Sequence, residues 1–384
     1  MRALNIDQLK PGFSLAVSLV DEKGHVLLQR GVQLTEPYIR ALREKGFTRL
    51  YVKDDTGVDV EPDDNLSPVV RWKAVRALEE TFAKIAGEVG ALKGKADEDI
   101  RSALDSDGVR ALIGPGGPVE ALSDMVGVIL DDILDQATLA GLTSLKNAES
   151  GMFEHAIDVC VISIMLGKAV GLDSRHMRQL AAGALLHDIG MVFVPEGIAE
   201  RGRIMQHTQL GFELLKRGED TEILSPYVAY EHHEHQDGSG LPRGLRGSNT
   251  IARDRKAGTP VPTLIGEIAA IANAYDNYLT GTAQRRSLSP EEAVKVLSDR
   301  SGTWFNQELV KTFRRIVQVY PRGTQVRLIG EPYDNFIAVV KETSDTHVSR
   351  PRVILVMDGK KNRITPEEVD TSKLPDIRLR SIGL

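Results

Sequence analysis

Between residues 231 and 242 the chain reads "EHHEHQDGSGLP", with His232 and His233 adjacent and His235 close behind. Neutral imidazole is a common metal ligand in proteins, and carboxylate is its usual companion in hydrolytic sites. Consecutive helical residues point about 100° apart, so such a pair would not normally share one ion. From a helix end, each ring can instead face one cation of a pair. A second stretch, "LLHDIG", sets His187 beside Asp188, whose two carboxylate oxygens can bridge two cations. Seven of the nine histidines fall between 155 and 235. Any one of them alone is more often an ordinary hydrogen-bonded residue. Together, His155, His187, Asp188, His207, His232 and His233 favour a dinuclear metal centre. His176, between Arg175 and Arg178, reads as solvent-facing, and His235 is left unassigned.

Helices must carry these ligands. From about 150 to 320 one helical pattern follows another, including "RHMRQLAAGALLHDIG", where Gly190 is expected to end the helix, and "TLIGEIAAIANAYDNYL". In "SLSPEEAV", Ser289, Pro290 and Glu292 form an N-cap, N1 and N3 set with the signature of a capping box. Upstream, residues 69–149 show helical periodicity broken by "IGPGGP", which lacks the Lys-Ser/Thr ending of a phosphate loop. Packing into the core is the expected use of these helices; a homodimer interface is the other arrangement they permit. Residues 1–53 read as a small α+β module with a turn at 21–24 and a helix over 35–45 stopped by Gly46. The acidic stretch 54–68 reads as a linker, and 321–384 as a β-rich extension with a hairpin turn at Asp358-Gly359. The expected fold is therefore mainly α, a helical domain over 150–320 with small β-containing modules on either side.

Composition narrows the function. With 384 residues, 41% hydrophobic and 27% charged, the chain suits two or three folded domains. A formal net charge of -6 argues against binding a nucleic-acid polymer but leaves room for a small anionic ligand. The single Cys160 lies in the apolar run "AIDVCVISIMLGKAVGL" and reads as core packing. Asp158 and Lys168 interrupt that run, so no membrane span is expected. The start "MRALNIDQLKPGF" lacks the layout of a signal peptide, and a cytoplasmic setting is the expectation.

The segments "EHAIDV", "LLHDIGMVFVPEGI", "QHTQLGFELL", "HHEHQDGSGLPRGLRG", "IAAIANAYDNYLT" and "SLSPEEAV" occur in this order from about 150 to 320. In them the chain resembles the HD-GYP branch of the HD phosphohydrolases, enzymes that cleave the bacterial messenger cyclic di-GMP. The resemblance implies a first metal position at His155, His187, Asp188 and Asn273. The second would comprise Asp188 as bridge with His207, His232 and His233. It implies two divalent ions, iron or manganese, with zinc also suited to the donor types. It implies attack on phosphorus by a hydroxide held between the two cations, with His187 and Asp188 central. Gly240, Pro242, Asp276 and Arg285 fall at positions associated with ligand contact, and the GLP loop at a position used for protein partners.

Four residues depart from that pattern. Asn273 stands where an aspartate is expected, Met191 where a lysine is expected, Leu241 in place of the tyrosine of Gly-Tyr-Pro, and Thr282 in place of an arginine. Losing one anion at ligand distance weakens the first metal position. Arg243, Arg246, Arg253, Arg255 and Lys256 in the long stretch 243–263 are candidates to replace the charge missing at Met191. Two functions from different classes follow: a cyclic di-GMP phosphodiesterase, or a catalytically impaired regulator that binds cyclic di-GMP or a protein.

Overall fold

The computed structural model describes residues 2–16, 18–20, 26–44, 47, 49–53, 60, 65–140, 151–218, 226–252, 260–281, 286–344 and 347–382. The expected turn at 21–24, the stop at Gly46 and most of the 54–68 linker lie outside them. So do Thr282, Arg285, Arg253, Arg255 and Lys256.

The N-terminal module has strands β1 (Arg2–Asn5), β2 (Ser14–Leu15), β3 (Leu19–Val20) and β4 (Val26–Leu28), helix α1 (Glu36–Glu44) and strand β5 (Arg49–Lys53). Strand β5 is central to an antiparallel sheet of order β1-β5-β2, and β3 pairs with β4. Its own core includes Leu15, Leu34, Ile39, Leu50 and Val52.

Helices α2 (Pro68–Val89), α3 (Asp97–Ala103), α4 (Asp107–Ile113), α5 (Pro118–Ile133), α6 (Gly151–Ala169), α7 (Ser174–Leu185), α8 (Glu200–Leu215) and α9 (Pro226–Glu231) follow. Helices α10 (Leu264–Thr280), α11 (Pro290–Asp299) and α12 (Gln307–Ile316) complete the region. One continuous apolar core runs from Leu66 to Val317, so the helices of 69–149 and those of 150–320 are parts of the same packed body. This is the core packing expected of the helices over 69–149. The reason is visible in α6, which is buried at every position from Ala156 to Gly167 and therefore needs neighbours on all sides. Helix α2 supplies one of them and carries Arg71, whose guanidinium meets the buried Asp158 at 2.8 Å and Glu154 at 3.1 Å. Cys160 is buried in the same helix, and burial pushes its thiol up. Among the described residues no helix is long and apolar enough to cross a membrane.

Beyond α12, strands β6 (Gln325–Ile329), β7 (Ile337–Ser344), β8 (His347–Met357), β9 (Arg363–Asp370) and β10 (Arg378–Ser381) form one antiparallel sheet, ordered β10-β6-β7-β8-β9. The β8–β9 connection is longer than a two-residue turn. It runs from Asp358 to Asn362, because the Asp358 carboxylate accepts from the backbone N–H groups of both Lys360 and Asn362.

Candidate metal centre

Four chain segments bring the ligands together. Helix α6 presents His155 in its first turns. Helix α7 stops at Leu185, and the chain then turns through His187 and Asp188 into a 3-10 segment, Ile189–Phe193. Gly190 therefore does not cap the helix. Its role is close approach: a Cβ there would stand 2.0 Å from the His207 carbonyl oxygen and 2.7 Å from Gly211 N. Only a glycine lets this segment lie against α8, which carries His207. Helix α9 ends at Glu231, so His232 and His233 sit just past a helix end, where adjacent residues can both turn inward.

Backbone hydrogen bonds set the imidazole tautomers. Nδ1 of His187 donates to the Ala184 carbonyl (2.8 Å), that of His207 to Arg203 (2.7 Å) and that of His232 to Val228 (3.1 Å). A carbonyl only accepts, so the proton is on Nδ1 and each Nε2 carries a lone pair. His155 Nδ1 donates to Asp276 Oδ2 at 2.5 Å, leaving its Nε2 as the acceptor. These acceptors then face one another. His207 Nε2 lies 3.3 Å from His232 Nε2, and both face Asp188 Oδ1, at 3.3 and 3.7 Å. His187 Nε2 is 3.4 Å from Asp188 Oδ2, buried and without a hydrogen-bond partner among the described residues. Lone pairs at such distances repel unless a proton or a metal cation lies between them, and two facing groups of such acceptors suit metal cations. The donor atoms fall into two groups, His155 with His187 and Asp188, and His207 with His232 and His233, each within 4.8 Å of one another. These residues fit a pair of divalent ions, with Asp188 between the groups.

Electrostatics favour neutral His207, His232 and His233 beside an ionised Asp188, with His187 the ring that takes up a proton most readily. Burial, reinforced by the surrounding rings, drives the His232 pKa well down and that of His233 to about 3; burial also lowers that of His207. Burial opposes ionisation of Asp188, yet the neighbouring His187, His207 and His232 hold it well below the ordinary carboxylate range. At His187 burial opposes charge as well, but the Asp188 carboxylate outweighs it and the pKa rises.

The centre opens into a cavity of about 330 Å³ lined by His155, Asp188, His207, His232, His233 and His235, together with Met191, Asn273, Asn277, Tyr278 and Trp304. Asn273 is on α10, buried, and its Oδ1 accepts from Asn277 Nδ2 at 2.7 Å. Met191 borders the cavity where the resemblance implies a cation. His235, unassigned from sequence, stacks on Trp304 at 4.3 Å with planes 11° apart, and the Arg300 guanidinium lies 3.4 Å from the Trp304 ring centre. His176 is exposed, as expected, and bonds Asp173.

Asp276, expected at the bound ligand, is buried, holds the far side of the His155 ring and is not among the residues lining the cavity, a position from which it orients a candidate metal ligand. Gly240 shapes the loop: a Cβ there would stand 2.2 Å from His235 N. Pro242 follows in the same loop, which Glu234 grips by accepting from Arg243 N (2.6 Å) and Leu245 N (2.8 Å). Gln236 ties it to α10 through Glu267 (2.8 Å), which also accepts from Asn306 at 2.8 Å. Arg243 pairs with Glu231 at 3.1 Å, and neither it nor Arg246 lines the cavity. Sequence reasoning missed Arg203 and Trp304 on the cavity wall. The signal for Arg203 was its spacing of four residues from His207 on one helix.

Residues 143–309 match the HD domain family. The chain is similar to the cyclic di-GMP phosphodiesterase PA4108 of Pseudomonas aeruginosa, 24% identical over 96% of this chain and 88% of that protein. It is similar also to a cyclic di-GMP phosphodiesterase of Thermotoga maritima, 29% identical over 44% of this chain and 46% of the relative. Among solved structures, Bd1817 of Bdellovibrio bacteriovorus, an HDG"Y"P protein, aligns over 82% of this chain and 98% of its own with 16% identity and a TM-score of 0.42. The stretch that matches the HD domain family contains every candidate ligand, His155, His187, Asp188, His207, His232, His233 and Asn273, and the motifs along it resemble the HD-GYP branch.

Proposed function

We propose that this chain hydrolyses a phosphodiester bond of cyclic di-GMP at a centre of two divalent cations, iron or manganese. The observation that carries the reading is the convergence of His155, His187, His207, His232 and His233 around Asp188. The names of the similar proteins support cyclic di-GMP as the substrate. When bound, a pair of divalent cations lowers the pKa of water and neutralises charge developing on phosphate oxygens.

The chain's own residues prepare that chemistry. Asp188 offers one oxygen toward His187 and the other toward His207 and His232, so it can bridge the two groups. Asp276 and the carbonyls of Ala184, Arg203 and Val228 fix each imidazole in the tautomer that points a lone pair inward. Depressed histidine pKa values keep the His207, His232 and His233 rings neutral at pH 7, available as ligands. No side chain is required as a covalent nucleophile.

A second reading, a regulator that binds cyclic di-GMP without cleaving it, is favoured by Asn273, which brings no charge to the first group and already receives the Asn277 amide. One assay separates the two. Full-length chain incubated with cyclic di-GMP and Mn(II) or Fe(II) is expected to yield linear dinucleotide or mononucleotide. Tight binding with no product under either metal overturns the enzyme reading. Asn273→Asp is expected to raise metal affinity at the first group, and turnover at limiting metal, by about tenfold, in line with one added anion in a partly buried site.

A further inference from the structure

The cavity beside the candidate metal ligands carries the carboxylates Asp188, Glu200 and Glu234 on its wall. Among the described residues lining it, Arg203 is the single Lys or Arg. It lies on α8 four residues before His207, so the two side chains share a helix face. The two are also coupled through the backbone: the Arg203 carbonyl is the group that holds His207 Nδ1, at 2.7 Å. Any displacement of that helical turn would move the ligand and the guanidinium together. Arg203 is exposed and makes no ion pair with another described residue. Of the other charged groups nearby, Glu234 grips two backbone N–H groups and Arg243 is paired with Glu231, while Glu200 stands on the wall three residues before Arg203 on the same helix and forms no ion pair with it. Met191, on another segment of the wall, offers no charge.

We propose that Arg203 is the phosphate-binding residue of this site, its guanidinium receiving the non-bridging oxygens of a phosphodiester seated against the His207, His232 and His233 group. A planar fork of N–H donors matches two phosphate oxygens, and such charge-assisted pairs are about twice as strong as neutral hydrogen bonds. The proposal deepens the phosphodiesterase reading and rests on it for the identity of the substrate, but not for the presence of an anion site.

The test uses the full-length chain loaded with Mn(II), as parent, Arg203→Met and Arg203→Lys. Calorimetry with inorganic phosphate is expected to show binding by the parent, a loss of about tenfold or more in Arg203→Met, and a smaller loss in Arg203→Lys. Metal equivalents and thermal midpoint should be the same in all three, since the side chain is exposed and is not a ligand. With cyclic di-GMP, Arg203→Met should lower kcat/KM by a similar factor and flatten its dependence on salt. Equal phosphate affinity in parent and Arg203→Met overturns the assignment. So does a parent that binds no phosphate, or a Met variant that loses metal. If the parent cleaves no cyclic di-GMP while phosphate binding still falls in Arg203→Met, the substrate reading fails and the anion site stands. If cyclic di-GMP is cleaved while phosphate binding is unmoved in Arg203→Met, the anion site fails and the substrate reading stands.

Discussion

At the scale of single residues, the centre depends on acceptors pointed at one another and on what lies behind them. Asp276 is the clearest case, because among the described residues its carboxylate is the hydrogen-bond partner that anchors the His155 ring. Replacing it with Asn removes the charge that favours a protonated Nδ1 and permits the opposite tautomer. Asp276→Asn is therefore expected to weaken metal binding about 10- to 100-fold, in the range found for groups that orient metal-bound histidines. Titration with Mn(II) checks it, and an unchanged affinity would sink the role given to Asp276. Most of the candidate ligands are legible in the sequence, since His155, His187, Asp188, His207, His232 and His233 advertise their chemistry by type. The orientation of Asp276 and the position of Arg203 are not. Spacing puts Arg203 on the helix face of His207, but neither that this face borders a cavity nor that Asp276 meets His155 can be read from spacing alone.

Elements set the distances between ligands that are far apart in sequence. The 3-10 segment Ile189–Phe193 can reach α8 only because position 190 has no side chain. Gly190→Ala would push a methyl group into the His207 carbonyl, moving His207 away from His232. A loss of about 1–3 kcal/mol in stability, typical of overpacking, is expected together with weaker metal binding. Urea unfolding with and without Mn(II) measures both, and a variant as stable and as metal-competent as the parent would refute this role for Gly190. The helices are readable from periodicity, and the capping box of α11 forms as its Ser289 and Glu292 indicate. Periodicity indicates that α2 and α5 pack into the core but does not say which helices they meet. Helix α6 is apolar all round, which tells that it is enclosed without naming what encloses it. Strand β10 and the long Asp358 turn are likewise hidden, because short exposed strands and side-chain-capped loops leave little pattern.

For the molecule as a whole, several neutral histidines buried together make the metal-free chain sensitive to acid. His233 has its pKa depressed to about 3, and those of His207 and His232 are lowered too, so the unfolded chain takes up protons first as pH falls below about 6.5. Stability contributed by these groups is present at pH 7 and is lost progressively as pH drops from about 6.5 toward 3. Each such histidine contributes at most about 1.4 kcal/mol per pH unit in that window. Thermal midpoints of metal-free chain across pH 7 to 4 should fall, and a flat profile would contradict the neutral, buried state assigned to the rings. The same rings, gathered from α6, the turn after α7, α8 and the end of α9, are the basis for two cations sharing Asp188. Elemental analysis of full-length chain equilibrated with excess Mn(II) and then desalted tests this most directly, beside the Asp188→Asn variant. The parent is expected to approach two metal equivalents, with the group bearing Asn273 filling last, and Asp188→Asn to lose both. A parent that holds no metal, or an Asp188→Asn chain that retains two equivalents, would contradict the shared carboxylate.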